Sequence, residues 1–127
     1  MKPRNLKVFI TDDSEIILKK IPEMLQEIDG IQIVGSARDS VNTLKAVKEL
    51  QPDVIVLDVI LPDKSGMATL KIIKEEELVP IVIMCTNYPF QEYSKRCFEL
   101  GADFFYDKSK EFNEMICTLQ ELSKDLS

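Results

Sequence analysis

Histidine is absent from the 127 residues, and cysteine occurs only three times. Without histidine the chain offers no histidine ligand for zinc and no base for a Ser/His or Cys/His catalytic pair, so both kinds of site are excluded. The cysteines, Cys85, Cys97 and Cys117, are odd in number and form no CxxC pair. This pattern argues against a disulfide framework and favours a reducing cytoplasm.

Long apolar runs and basic patches are also missing. The apolar run behind the basic start of the chain, residues 8–10, is too short for a signal peptide, and no stretch approaches the length of a membrane span. Sixteen Lys and Arg against 22 Asp and Glu give a net charge of −6. An acidic surface argues against nucleic-acid binding, because phosphates attract basic patches. We expect one cytoplasmic domain with no direct nucleic-acid contact and no membrane insertion.

Short apolar runs alternate with stretches of helical periodicity. The runs are rich in β-branched or aromatic residues and mostly apolar on consecutive positions, which is typical of parallel strands buried on both faces. They cover residues 8–10, 31–34, 54–57, 81–84 and 104–106. The helical stripes are Ile17, Ile21, Met24 and Ile28; Val41, Leu44 and Val47; Met67, Leu70 and Ile73; Tyr93, Cys97 and Leu100; and Phe112, Met115, Ile116 and Leu119. Five strand–helix units predict an open α/β sandwich spanning residues 1–127.

Local signals mark where the helices begin. Ser14, Asp39 and Ser109 are predicted N-caps, because their side-chain oxygens can accept from free N–H groups of a first turn. Pro22 lies inside the first helical stripe and removes one backbone hydrogen bond, so we expect a kink or a local break there.

Polar residues stand at the carboxyl ends of four predicted strands. Asp12 and Asp13 follow the first, Asp58 ends the third, Thr86 ends the fourth, and Lys108 follows the fifth. Each alone is ordinarily a turn former, a cap or a surface residue. In open α/β sheets the functional site lies at this edge, so these residues together are predicted to form one site.

Three ionised carboxylates at one edge would repel one another strongly unless a cation lay between them. Hard oxygen ligands suit Mg²⁺, whose two charges together with that of Lys108 would balance the carboxylates. Converting one carboxylate to an acyl phosphate would add about one negative charge. Mg²⁺, Lys108 and the Thr86 hydroxyl could receive the new oxygens, so the pattern predicts a metal-dependent phosphate site.

Four motifs, TDDSE, DVIVLDVILPDKSG, IVIMCTN and GADFFYDKS, occur in this order. Together they resemble the receiver domain of two-component response regulators, of the single-domain chemotaxis type, over about residues 6–122. The resemblance implies a doubly wound, flavodoxin-like fold with strand order 2-1-3-4-5 and five helices on the two faces. The initiating Met1 and the polar end of the chain favour a stand-alone receiver over a segment of a longer regulator.

The resemblance also implies a chemistry for the acidic residues. Asp58 would be the phosphoacceptor, attacking the phosphohistidine of a sensor kinase or phosphotransfer protein. Mg²⁺ would be bound by Asp13, by Asp12 directly or through water, by Asp58 and by the backbone carbonyl of Ile60. Such a domain is not an enzyme in its own right, although it assists its own phosphotransfer and dephosphorylation.

A switch of conformation is implied as well. Lys108 would hold a phosphoryl oxygen, Thr86 would move toward the phosphate, and Phe105 would turn inward. The switch would then alter the surface formed by the fourth helix, fifth strand and fifth helix, which would bind a downstream protein. The same surface could also form a homodimer. Aromatic and apolar residues are concentrated near the start of this face, at Tyr88, Pro89, Phe90 and Tyr93.

The chain departs from the family pattern at several positions. Ser109 follows the lysine where the family often has a proline, so the last loop should differ. Phe105 replaces the commoner tyrosine and offers no hydroxyl to a partner. Asn87 narrows access to the phosphate, and the bulky pair Ile60 and Tyr88 predicts slow hydrolysis of the acyl phosphate.

Three other readings remain open at this stage. A pseudo-receiver would share the fold and act by protein docking alone, although the acidic residues and Lys108 are all present. A flavodoxin-like cofactor carrier would need a Ser/Thr/Gly-rich loop where TDDSEI places carboxylates. A Mg²⁺-dependent phosphatase would need a cap or a longer chain, and only short loops are available.

Overall fold

The computed structural model describes residues 4–77, 79–87 and 91–125. Strands and helices alternate along them. The strands are β1 (Leu6–Thr11), β2 (Ile31–Ala37), β3 (Val54–Asp58), β4 (Ile81–Thr86) and β5 (Phe104–Asp107). The helices are α1 (Glu15–Leu25), α2 (Ser40–Leu50), α3 (Gly66–Ile73), α4 (Gln91–Glu99) and α5 (Phe112–Lys124). The predicted strand–helix alternation is confirmed.

The five strands form one parallel sheet in the order β2-β1-β3-β4-β5. This is the predicted doubly wound topology. The central strand β3 is buried along its whole length, as its unbroken apolar run requires. The register pairs Asp58 with Cys85 and Thr86 with Asp107, so the ends of β3, β4 and β5 lie side by side.

Two apolar cores fill the space on the two faces of the sheet. On one face α1 and α5 pack through Ile21, Leu25, Met115 and Leu119. On the other face α2, α3 and α4 pack through Val47, Leu70, Ile73 and Cys97. The helical stripes of the sequence supply both layers. None of the helices in the described ranges combines the length and the apolar character needed to span a bilayer.

Two of the three predicted N-caps are confirmed. Ser14 Oγ accepts from the Ile17 amide at 3.4 Å, and Asp39 Oδ1 accepts from the Asn42 amide at 2.9 Å. The prediction for Ser109 is wrong, because α5 begins three residues later, at Phe112. Ser109 instead forms a turn in which its amide and hydroxyl both donate to Asp107 Oδ1, at 2.8 and 2.7 Å.

Of the kink or local break expected at Pro22, the break does not occur, since α1 runs through it from Glu15 to Leu25. A proline inside a helix costs about 3 kcal/mol, and the burial of Ile21 and Leu25 beside it offsets that cost.

The predicted stripe of α2 is also wrong in part. Val41 is 65% exposed, while the hydroxyl residues Ser40 and Thr43 are fully buried. Ser40 pairs with the hydroxyl of Thr69 at 2.6 Å, and Thr43 pairs with the hydroxyl of Thr11 at 2.7 Å. These hydrogen bonds compensate for the loss of water around the buried hydroxyl groups.

Candidate functional site

The carboxyl edge of the sheet brings three of the predicted charged residues into contact. Lys108 Nζ lies 2.7 Å from Asp12 Oδ2 and 2.9 Å from Asp58 Oδ2. Asp12 directly follows β1, Asp58 ends β3 and Lys108 directly follows β5, so parallel pairing alone carries them to one place. All three side chains are buried, and the Lys108 side chain is only 4% exposed.

Burial and charge set the protonation of this cluster. Burial raises the pKa of Asp58; the Lys108 ammonium opposes that rise, and the neighbouring Asp12 carboxylate adds to it. Burial would lower the pKa of Lys108, but hydrogen bonds and charge attraction from Asp12 and Asp58 outweigh it and raise that pKa overall. The lysine therefore stays charged at neutral pH, and one cation is shared by two buried carboxylates.

Asp13 extends the cluster toward solvent. One carboxylate oxygen each of Asp12, Asp13 and Asp58 lies within 4.8 Å of the others, and Asp13 is exposed. The loop that carries Asp13 is fixed by two contacts. The Ser14 amide donates to Asp12 Oδ1 at 2.9 Å, and Arg38 donates to the Asp13 carbonyl from Nη2 at 2.9 Å and from Nε at 3.2 Å.

The donor set fits a divalent cation of the Mg²⁺ type. Three carboxylates carry three negative charges and Lys108 returns one, so the cluster has a net charge of about −2 when all are ionised. Hard oxygen ligands with one side open to water are what Mg²⁺ prefers, because it retains part of its hydration shell. Receiver domains bind Mg²⁺ at an acidic pocket of this kind.

The loop after β3 is folded tightly against the end of that strand. The Ile60 amide donates to Asp58 Oδ1 at 3.2 Å, and the Gly66 amide donates to the Val59 carbonyl at 2.6 Å. A Cβ atom at Gly66 would lie 1.9 Å from the Asp58 carbonyl oxygen. Glycine is therefore required here by space, because no side chain fits between α3 and the backbone of Asp58.

The sequence matches the profile of the family described as the response regulator receiver domain over residues 8–120. The chain belongs to this family. Comparison with curated protein sequences returned no significant match.

Solved structures show the same receiver fold. The receiver domain of the Francisella response regulator 1452 is 26% identical with a TM-score of 0.83, covering 97% of this chain and 100% of its own. The response regulator domain of CheB from Thermotoga maritima is 25% identical with a TM-score of 0.82, covering 97% of this chain and 96% of its own. The receiver domain of the putative response regulator NarL from Mycobacterium tuberculosis is 22% identical with a TM-score of 0.87, covering 96% of this chain and 98% of its own.

The other predicted site residues lie on β4, on β5 and in the loop after β3. Thr86 is buried at the end of β4, and its carbonyl accepts from the Lys108 amide at 2.9 Å. Phe105 pairs with Met84 across β4 and β5 and is partly buried against the core of α2, α3 and α4. Ile60, in the loop after β3, is 46% exposed.

The start of the predicted partner face is described only in part. Tyr93 on α4 packs against the core of α2, α3 and α4. The other predicted members, Tyr88, Pro89 and Phe90, lie outside the described residues. Asn87, expected to narrow access to the phosphate, is exposed at the end of β4.

Cys85 lies directly beside the cluster, paired with Asp58 in the sheet. Burial raises the pKa of its thiol strongly, so it stays protonated. A buried, neutral thiol is a poor nucleophile, so Cys85 is not a candidate for the reactive group of this site.

The contacts of two residues that hold the site were not predicted from the sequence. One is Arg38, described above. The other is Asp63, whose carboxylate accepts from the amides of Ser40 at 2.8 Å and Val41 at 3.1 Å, at the start of α2. Asp63 lies within the motif DVIVLDVILPDKSG, and no local pattern links it to a helix more than twenty positions earlier.

Proposed function

We propose that this receiver domain, residues 1–127, accepts a phosphoryl group on Asp58 from a phosphohistidine of a sensor histidine kinase or phosphotransfer protein, in a reaction that needs Mg²⁺. The observation that carries the proposal is the buried contact of Lys108 with both Asp12 and Asp58. A lysine shared by two carboxylates, beside a third that is exposed, leaves a site that is still short of positive charge.

Asp58 is the nucleophile in this proposal. One of its carboxylate oxygens forms a bond to phosphorus while the bond from phosphorus to the donor's imidazole nitrogen breaks, and the electron pair of that bond stays on the imidazole. Burial makes the charge of Asp58 costly, as its raised pKa indicates, so the site favours any change that compensates or spreads this charge. Lys108 is already placed to hold a phosphoryl oxygen.

Asp12, Asp13, Asp58 and the carbonyl of Ile60 are the proposed ligands of Mg²⁺. The bound ion would supply charge neutralisation for the incoming phosphoryl oxygens. Asp13 is the exposed member, so it keeps the ion site in contact with water. Asp12 is held by the Ser14 amide and by Lys108, which fixes the direction of its carboxylate.

Phosphorylation adds about one negative charge and three acceptor oxygens beside Lys108 and Thr86. We propose that Thr86 moves to hydrogen-bond this group and that Phe105 turns further inward. A coupling of about 1–3 kcal/mol would then shift the packing of α4, β5 and α5, which present the surface for a downstream protein or for a second copy of the chain. The net charge of −6 supports a protein target rather than direct contact with nucleic acid.

A docking-only role is the second candidate. In that case the acidic cluster would be a structural remnant, and neither Mg²⁺ nor a phosphodonor would change the protein. The complete, ion-paired set of Asp12, Asp58 and Lys108 favours phosphoryl acceptance instead. We also propose that the chain is a signalling module that assists its own slow dephosphorylation, with Ile60 shielding the acyl phosphate from water.

Intact mass spectrometry tests the proposal directly. The protein is incubated with Mg²⁺ and acetyl phosphate beside the variant Asp58→Asn, which keeps the size of the side chain and removes the nucleophile. We expect one added phosphoryl group in the wild type alone, lost on treatment with hydroxylamine, which cleaves acyl phosphates. A folded wild-type protein that gains no mass would refute phosphoryl acceptance and favour the docking-only role.

A further inference from the structure

The loop between β3 and α3 is held at two points. At its base, the Gly66 amide donates to the Val59 carbonyl at 2.6 Å. Near its tip, both carboxylate oxygens of Asp63 accept from the start of α2, from the amides of Ser40 at 2.8 Å and Val41 at 3.1 Å. These bonds satisfy N–H groups that a helix leaves unpaired, and the negative charge lies at the positive end of the helix dipole.

The start of α2, to which Asp63 binds, is itself held by hydrogen bonds. Its N-cap, Asp39, accepts from the Asn42 amide at 2.9 Å, and the Ser40 hydroxyl pairs with the buried Thr69 hydroxyl of α3 at 2.6 Å. Asp63 itself is exposed, yet hydrogen bonds from the Ser40 and Val41 amides lower its pKa. The carboxylate therefore binds α2 as an ion.

The residues between the two points include the part of the loop that touches the phosphoacceptor. Ile60 lies three positions before Asp63, and its amide donates to Asp58 Oδ1 at 3.2 Å. Pro62 restricts the backbone between them, so a shift of the tip is passed toward Ile60. The start of α2 is thus connected, through Asp63 and Pro62, to the peptide whose amide binds the Asp58 carboxylate.

We infer that Asp63 is a positioning residue for phosphoryl acceptance: by tying the β3–α3 loop to the start of α2, it sets the direction of the Asp58 carboxylate and the place of the Ile60 carbonyl. This inference rests on the proposed function at Asp58. Asp63 touches neither the phosphoryl group nor the ion, and it acts through the loop.

The test compares Asp63→Ala and Asp63→Asn with a matched control, Asp53→Ala. Asp53 also accepts from a backbone amide, that of Lys7 at 2.8 Å, and from Arg4, but it lies at the opposite edge of the sheet. The readouts are the initial rate of phosphoryl uptake from acetyl phosphate at saturating Mg²⁺, and Mg²⁺ binding by calorimetry. Both are taken well below the unfolding temperature of every variant.

We expect Asp63→Ala to lower the uptake rate and to weaken Mg²⁺ binding, each by about 10-fold, as is typical when a partner that orients a ligand group is removed. Asp63→Asn keeps one oxygen acceptor and should lose less. Asp53→Ala should match the wild type in both readouts, even where it lowers the unfolding temperature.

The outcomes separate the inference from the proposed function. A wild type that takes up no phosphoryl group refutes the proposed function itself. A wild type that is phosphorylated, with Asp63→Ala no slower than Asp53→Ala, overturns the positioning role of Asp63. If Asp63→Ala does not fold, Asp63→Asn decides, because an unchanged rate and an unchanged Mg²⁺ affinity in that variant would also overturn it.

Discussion

Replacing Gly66 with alanine should damage both the stability and the chemistry of the domain. The added Cβ would lie 1.9 Å from the Asp58 carbonyl oxygen and 2.8 Å from the Val59 Cα. Real Cβ contacts stay beyond 3.0 Å, so α3 and the end of β3 would have to separate by roughly 1 Å. Both atoms belong to backbone, which cannot move aside as a flexible side chain does.

The magnitude follows from three contributions. Overpacking costs about 1–3 kcal/mol. Stretching the Gly66–Val59 hydrogen bond adds about 0.5–1.5 kcal/mol. The helix preference of alanine over glycine returns at most about 1 kcal/mol. We therefore expect Gly66→Ala to lower the free energy of unfolding by about 2–3 kcal/mol.

Urea unfolding measures this change, and the rate of phosphoryl uptake measures the displacement of Asp58. A misplacement of about 1 Å can cost on the order of 100-fold in rate. Gly35→Ala is the matched control, because the closest atom to its Cβ is a side-chain ring carbon of Phe9 at 3.1 Å, which would need to shift by only a few tenths of an ångström. A Gly66→Ala protein within about 0.5 kcal/mol of the wild type, with an unchanged rate, would refute the reasoning.

Three further predictions follow from the buried charges and thiols. Lys108→Met leaves two buried carboxylates without a cation, so it should lower the free energy of unfolding by about 3 kcal/mol, as measured with urea in the absence of Mg²⁺. Mg²⁺ should stabilise this variant more than it stabilises the wild type, and an equal stabilisation of both would contradict the charge argument. Because the pKa of Asp58 is raised in the folded state, its ionisation lowers stability as the pH rises through that pKa. Asp58→Asn should therefore be more stable than the wild type at neutral pH without Mg²⁺, by on the order of 1 kcal/mol, with the gain vanishing below the ordinary carboxyl range; a loss of stability at neutral pH would show that the Lys108 contact dominates. A thiol reagent should react rapidly with the exposed Cys117 alone, since burial raises the pKa of Cys97 to about 11 and that of Cys85 further; fast reaction of more than one thiol in the native protein would contradict the burial.

Much of the site was predictable because parallel strands carry their carboxyl ends to one edge. Asp12, Asp58 and Lys108 are far apart in the chain, yet each stands at the end of an apolar run. The open α/β sandwich inferred from those runs was enough to expect them at one edge, and the strand order came from the family resemblance. Local signals were enough for the N-caps Ser14 and Asp39, because their partners lie only three residues away.

The remaining features depend on contacts that leave no periodic signal. The carboxylate of Asp63 accepts from the start of a helix that lies more than twenty residues earlier in the chain. Buried hydroxyl pairs such as Ser40 with Thr69 place Ser40 rather than Val41 on the inner face of α2, because a paired hydroxyl can be buried where an unpaired one cannot. Ser109 resembles a cap, but Asp107 competes for its amide and hydroxyl.

The contact between Lys108 and Asp12 spans 96 positions of the chain, and that between Lys108 and Asp58 spans 50. A nascent chain emerges from its amino terminus, so both aspartates are synthesised well before their shared cation. An intermediate that buries these carboxylates before β5 docks leaves them without a cation, which raises the free energy of that intermediate. The docking of the last strand therefore completes the sheet and the charge pairing in the same step, so the proposed phosphoacceptor cluster is assembled only once β5 is in place.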